Sequence, residues 1–413
     1  MRSPEKSEMV LKTWIGSIVV MVLIHCWIIY HRLWSDLWFV TWTHFPTWVV
    51  LAIMTGYFVF WWRTHQNYST GELWSSLGVM PFFVYPAVAL SYFFCTDLSD
   101  KEVWSGYAVA CEYKEAHYTA STDSKGRRTR TYHGPTYTIK TNHGDGDEIS
   151  CSKEHYEALV KTWGDSRLSR KLNNSADGIA YIHTVTWDDK KLETRIPTAN
   201  EHWVVNYVKA SKGILRVHGA MSGYEKKLRA YPKVHAGFYG PIEIDRVINA
   251  GTSIPDSFAA DFNRSIRNHL CTLGKEKQVH VLLYLTDADI GFFEALRESW
   301  VLGKNNDVIV VVGTDGGKGI SWVRAMAWTD RFEFLEALQD RIRALKTLEK
   351  GEEVANTICQ QICESGSWGY NRKPMSDYRS SAVEVALPWW AYIPMLLITG
   401  ILLLPTVWLC IHD

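Results

Sequence analysis

The sequence predicts a multi-pass α-helical membrane protein that displays a soluble α/β domain with a β-rich insert. Three observations predict it. Four stretches are long, apolar and nearly free of charge; a charged segment, residues 97–385, separates the third from the fourth; and inside that segment two apolar strand-like runs flank an amphipathic helical pattern. The composition excludes other classes. The 413 residues carry 44 basic and 44 acidic side chains, a balance that argues against a nucleic-acid binder. Eight cysteines in so long a chain do not make a disulfide scaffold, and an apolar share of 47% excludes a disordered one. The 20 tryptophans stand out, because tryptophan concentrates where an apolar medium meets water.

After a tail at 1–13, the apolar stretches cover about 14–31, 37–62, 74–95 and 386–411, and a bilayer crossing needs about 20 apolar residues. Three helices are therefore expected in 14–95 and a fourth in 386–411, after a linker at 376–385. The first stretch lacks a small-x-small cleavage site and reads as a retained helix rather than a signal peptide. Twelve tryptophans belong to these parts, most of them at the ends (Trp14, Trp34, Trp38, Trp61, Trp62, Trp74, Trp389, Trp390, Trp408), with Trp27, Trp42 and Trp48 deeper and expected between helices. Pro46, Pro81, Pro86, Pro394 and Pro405 are expected to kink their spans. His25 and His44, without acidic partners nearby, read as structural rather than as a proton path, and no polar route for a transporter is visible.

Lys and Arg near the spans set the expected orientation. With a cytoplasmic N-terminus, Arg2, Lys6, Lys12 and Arg63 lie inside and Arg32 outside, which places both termini in the cytoplasm and the large domain outside it. Ten charged residues, five of each sign, lie outside 97–385, so the insert holds 39 of each sign and has an ordinary water-facing surface.

Residues 96–240 read as β-rich. Strands are expected at 103–113, 129–141, 180–187 and 202–208, a Gly-Asp-Gly-Asp turn at 144–147, and one short helix at 152–161. The basic run at Lys125, Arg127, Arg128 and Arg130 fits either contact with an anionic lipid or a nucleic acid, or a solvated hairpin tip. Cys111, His117, His133, His143 and Cys151 match no zinc spacing.

Residues 241–375 are the most patterned. A helix is expected at 256–273, with Phe258, Phe262, Ile266 and Leu270 on one face. QVHVLLYL at 278–285 is a fully apolar strand, 290–302 a helix closed by a left-handed Gly303, and DVIVVVG at 307–313 a second buried strand. Strand, helix, strand implies parallel neighbours with a right-handed crossover. The turn at 314–319 leads into 320–328 as a hairpin. Asp330 and Glu333 suggest a capping box for a helix whose face carries Phe332, Leu335, Leu338, Ile342 and Leu345. A last helix at 352–364 carries Val354, Ile358 and Ile362, with Cys359 and Cys363 one turn apart.

In such a layer, ligands bind beyond the carboxyl ends of the strands. Asp287 and Asp289 follow one strand there and Asp315 the next, so the three carboxylates are candidate ligands for Ca²⁺ or Mg²⁺, which would activate a water for phosphate hydrolysis. The competing reading makes Asp289 a helix cap and Asp315 the first residue of an Asp-Gly turn.

Residues 279–328 resemble the TPM domain family. The similarity rests on Trp300, Gly303, Lys304, Asn305, Asn306 and Asp307, followed by VIVVVG, and on RKPMSDY at 372–378, which is similar to a motif of little-characterised bacterial and phage membrane proteins carrying such a domain. The resemblance implies an α/β sandwich, membrane tethering and an extracytoplasmic domain. It also implies either an accessory role in membrane complexes or acid phosphatase activity with Ca²⁺ binding, and no catalytic motif carries over. Two functions follow: a non-enzymatic subunit or scaffold of a membrane assembly, whose partners are the bilayer and other membrane proteins rather than nucleic acid, and a membrane-tethered metal-dependent phosphatase.

Overall fold

The computed structural model describes residues 4–64, 69–122, 128–144, 147–162, 167–175, 178–186, 195–210, 219–236, 242–385, 387–393, 395–397 and 400. The expected span 386–411, the turn residues Asp145 and Gly146, and Lys125 and Arg127 of the basic run lie wholly or mostly outside them. The chain mixes helices and sheets and divides into two compact units. One comprises Met1–Lys101, Trp203–Arg216 and Pro374–Asp413, and the other Glu102–His202 and Val217–Lys373.

The first unit begins with α1 (Pro4–Tyr30), α2 (Trp34–Thr43), α3 (Phe45–Thr64) and α4 (Thr70–Cys95). Phe45–Thr64 and Ser76–Cys95 are long and apolar enough to cross a membrane. Ile18–Tyr30 and Trp34–Thr43, bent 115° at the left-handed Arg32, make up to one more span if taken as a pair. The sequence suggested one helix over 37–62; the structure breaks it at an extended His44. Pro46 is the cause. It has no N–H to donate to the carbonyl of Trp42, so a continuous helix would leave that oxygen bare. The indole of Trp48 donates to it instead, at 3.1 Å, and the Thr47 hydroxyl donates to the carbonyl of Thr41. His25 and His44 each place Nδ1 2.7 Å from a carbonyl one turn back, Met21 and Val40 respectively. Such contacts suit the structural role expected of both. Trp48 is exposed rather than packed between helices. The central helix is α4, which touches α1, α2 and α3 and buries Phe83, Val84, Tyr85, Val88, Tyr92 and Phe93.

The β-rich part contains β1 (Ser99–Lys114), β2 (His117–Thr122), β3 (Arg128–His133), β4 (Thr136–Thr141), β5 (Glu148–Ser150), α5 (Lys153–Thr162), β6 (Arg167–Ser175), β7 (Gly178–Thr186), β8 (Ile196–Val205) and α6 (Tyr207–Ala210). The sheet order is β5-β4-β1-β7-β6, with β8 also on β1, and β2–β3 form a separate ribbon. The run expected as one strand at 129–141 is two, because Gly134 and Pro135 interrupt it and its halves join different sheets. The strand expected at 202–208 ends at Val205. Asn206 then caps α6, its Oδ1 accepting from the N–H of Lys209 at 2.9 Å. Ala108, Cys111, Ile139, Ile149, Leu159 and Ile196 form the core beneath α5.

The α/β layer follows with β9 (His235–Ala236), β10 (Ile242–Glu243), β11 (Val247–Ala250), α7 (Asp256–Glu276), β12 (His280–Thr286), α8 (Phe292–Ser299), β13 (Asp307–Thr314), β14 (Ile320–Ala327), α9 (Phe332–Ala344) and α10 (Gly351–Cys363). Its sheet runs β11-β12-β13-β14, the first three strands parallel and β13–β14 an antiparallel hairpin, as the apolar runs imply. Strand alternation divides the core. Val281, Leu283, Leu285, Val308, Val310 and Val312 meet α7, α9 and α10, while Leu282, Tyr284, Ile309 and Val311 meet α8 on the other face. Both faces are covered, which is why β12 and β13 are apolar at nearly every position.

Two helix details differ from expectation. α9 buries Phe334, Leu338 and Ile342, and Phe332 is 71% exposed. Its N-cap is Arg331, and no side chain caps it, so Asp330 and Glu333 form no capping box. α8 ends at Ser299. Val301, Leu302 and Gly303 then all take positive φ, and Gly303, at φ +78°, closes the turn at the lowest steric cost.

Candidate functional site

The parallel strands place the ends of β11, β12 and β13 side by side, with Ala250 opposite Thr286 and Thr286 opposite Gly313. Asp287 and Asp289 leave the edge in the β12–α8 loop and Asp315 in the β13–β14 turn, so all three sequence candidates lie at the carboxyl edge. Each has its own partner. Asp287 forms an ion pair with Lys227, and that hydrogen bond is the main cause holding its carboxyl below the ordinary range. Asp289 accepts from the Tyr224 hydroxyl at 2.6 Å and from the N–H of Gly291 at 2.8 Å. The Tyr224 bond is the main cause lowering its pKa. Asp315 accepts from the N–H groups of Gly317 and Gly319 at 2.9 and 3.2 Å, as the first residue of an Asp-Gly turn does. Among the described residues, no group of three or more His, Cys, Asp and Glu stands ready to hold a metal ion.

The partners of Asp287 and Asp289 come from residues 219–231, a segment without helix or strand that crosses the α8 face. It is held along its length. Glu298 of α8 accepts from the N–H groups of Gly219, Ala220 and Met221 at 2.9, 2.6 and 3.2 Å. The Tyr284 hydroxyl donates to the carbonyl of Lys227 at 2.6 Å and accepts from the N–H of Arg229 at 3.1 Å, and the Trp300 indole donates to the carbonyl of Arg229 at 2.8 Å. No periodic pattern marks these residues in the sequence, so the partners of the acidic edge were not foreseeable.

No family model, no curated protein and no solved structure matches this chain. Its chemistry rests on its own geometry.

A second polar centre lies at the amino ends of the same strands. His280 and Asp307 begin β12 and β13 and are register partners. His280 Nδ1 is 3.0 Å from Asp307 Oδ1, both side chains being essentially inaccessible. The Tyr231 hydroxyl donates to Asp307 at 2.9 Å, and the N–H of Lys304 donates to its other oxygen at 2.7 Å. Burial lowers the His280 pKa, against the opposing bond from Asp307. Next to it Arg372 meets the Asn305–Asp307 run. Arg372 donates from Nε to Asn305 Oδ1 at 2.7 Å and from Nη2 to the buried Glu102 at 2.6 Å, and Asn306 donates to the carbonyl of Val103 at 2.7 Å. The Asn-Asn-Asp run and the Arg372 motif thus close one turn after α8 and tie it to β1.

The scattered His and Cys set does not gather. Cys111 is buried in the core of the β-rich sheet and burial pushes its thiol up. Cys151 is likewise raised, to about 11. His117 and His133 stack on each other across the β2–β3 ribbon, ring centres 5.0 Å apart, and His143 Nε2 contacts the carbonyl of Ser105 at 2.8 Å. Cys359 is buried in the α/β core, while Cys363 is exposed.

Proposed function

We propose that the chain is a multi-pass integral membrane protein whose α/β domain serves as a non-enzymatic subunit or scaffold of a membrane assembly. The observation that supports it most is the surface of α3. Phe45–Thr64 is apolar along most of its length, with its one charge, Arg63, in the last turn, yet only 22% of its spanning window is buried by the rest of the chain, and it exposes Phe45, Trp48, Ile53 and Phe60. A large apolar side chain left in water forgoes about 1.5–3 kcal/mol, so a helix apolar all round belongs in lipid. In this reading α3, α4, the bent α1–α2 pair and residues 386–411 lie in the bilayer, with both termini cytoplasmic and the α/β domain outside.

Sodium carbonate extraction of membranes tests the first part. Release of the full chain into the supernatant would overturn it. For orientation the thiol to label is Cys363, since Cys111 is buried. Modification in intact cells by an impermeant maleimide is expected, and modification only after lysis would reverse the topology.

The assembly role is supported by how the acidic edge is used. Asp287 and Asp289 tie down the 219–231 segment through Lys227 and Tyr224, which is the work of a rigid display surface. The position of Asp287, Asp289 and Asp315 at the carboxyl edge of parallel strands favours the second reading, a membrane-tethered phosphatase dependent on Ca²⁺ or Mg²⁺. Aryl phosphate turnover by the full-length protein in detergent separates the two. Metal-dependent activity that disappears in Asp287→Asn sinks the scaffold reading.

A further inference from the structure

In the soluble unit a small cleft opens between the β-rich sheet and the α/β layer. Ser105 of β1 and Thr198 of β8 line one side, and Glu243, Arg246 and Arg267 the other. Arg246 is the anomaly. It is 1% exposed, and no carboxylate among the described residues forms a hydrogen bond or ion pair with its guanidinium. Nη1 donates to the carbonyl of Ile244 at 3.2 Å and Nη2 to Ser105 Oγ at 3.0 Å, while Nε has no acceptor among the described residues. Glu243, the carboxylate on the cleft wall, is engaged by Arg267. The cleft therefore carries two guanidinium charges against one carboxylate. Burial and the neighbouring Arg267, opposed by Glu243, lower the pKa of Arg246 to about 10, which still leaves it charged at neutral pH. Glu243 acts on both guanidinium groups but pairs with Arg267, so among the described residues one positive charge stays in excess, and an excess buried charge is costly to a fold.

We propose that this cleft binds one small monovalent anion of halide size, and that the anion supplies the missing negative charge. The space is of the order of one small occupant, which suits a halide better than a polyatomic anion such as phosphate. A water, which is smaller than a halide, would fit but would leave the charge uncompensated. The donors suit an anion. Two guanidinium groups line the cleft, and Ser105 Oγ already accepts from Arg246, so its proton is free to donate. Once bound, the anion joins β1 and β8 to α7 and to Arg246, the residue before β11, so the soluble unit becomes more stable as halide is added.

The test is thermal unfolding of the full-length protein in detergent, in chloride, bromide, gluconate and sulfate at matched ionic strength. A saturable rise in Tm with chloride and bromide, absent with gluconate and sulfate, is expected. Arg246→Met needs no counter-ion and should abolish the halide response, with a Tm in gluconate at least equal to that of the wild type. If that variant does not fold, Arg267→Gln decides, with an expected half-saturating chloride concentration about tenfold higher. Equal wild-type Tm values in chloride and gluconate would overturn the proposal. So would a halide response that survives unchanged in the variants that fold.

Discussion

His202 Nε2 lies 2.7 Å from Asp147 Oδ1, and the indole of Trp104 stacks on the same imidazole with ring centres 4.0 Å apart. Asp147 is buried, which by itself raises its pKa, but hydrogen bonds from His202, Thr141 and Asn200 outweigh burial and bring it to about 2. A carboxylate whose folded pKa is below its unfolded value contributes stability above the unfolded pKa and loses it as pH falls through the folded one. Asp147→Ala should therefore cost about 2–3 kcal/mol at pH 7. Its deficit against the wild type should shrink between about pH 4 and pH 2. Urea unfolding across that range checks both, and a deficit independent of pH would contradict the assignment.

Tyr231 and Asp307 offer a second test. Tyr231→Phe removes one donor from a buried carboxylate and is expected to destabilise by about 1–3 kcal/mol. A double-mutant cycle on His280 and Asp307 should show coupling of about 0.5–3 kcal/mol, and additive effects would mean that the 3.0 Å contact contributes nothing.

α10 approaches α7 so closely that a Cβ on Gly351 would lie 2.1 Å from the carbonyl oxygen of Phe258. Backbone cannot yield as a side-chain tip can. Gly351→Ala should push the helices apart and lower stability by about 1–3 kcal/mol, measured by chemical unfolding.

The membrane assignment predicts a contrast between two exposed apolar positions. Ile53→Arg on α3 should disfavour insertion by about 2.5–3.5 kcal/mol and shift protein out of the carbonate-resistant membrane fraction. Phe332→Arg, at the exposed start of α9, should change stability by less than about 0.5 kcal/mol and leave membrane partition alone.

Much of the α/β layer was legible because its signals are local. His280–Thr286 and Asp307–Thr314 are apolar at nearly every position, the mark of strands covered on both faces, and α7 repeats its apolar residues every fourth position. Elements with weak local signals escaped. β11 has four residues, and β6 is the polar run RLSRKLNNS, held by its pairing with β7. On α9 the apolar residues Phe332, Phe334, Leu335 and Leu338 admit two adjacent faces, and only contact with the sheet selects Phe334 and Leu338. Pro46 was visible in the sequence, but whether it kinks or breaks a helix depends on what takes up the freed carbonyl. Thr47 and Trp48 do so here.

The sequence by itself determined the apolar runs, the parallel pair β12–β13 with its hairpin, and the edge on which Asp287, Asp289 and Asp315 lie. Periodicity along the chain decides those. The tertiary structure decided what each polar group meets. Lys227 reaches Asp287 across 60 residues, Tyr231 reaches Asp307 across 76, and Arg246 is buried against Ser105 across 141. Periodicity assigns a side chain to a face of its own element. Which distant group shares that space is set by how the elements pack, and no local pattern encodes it.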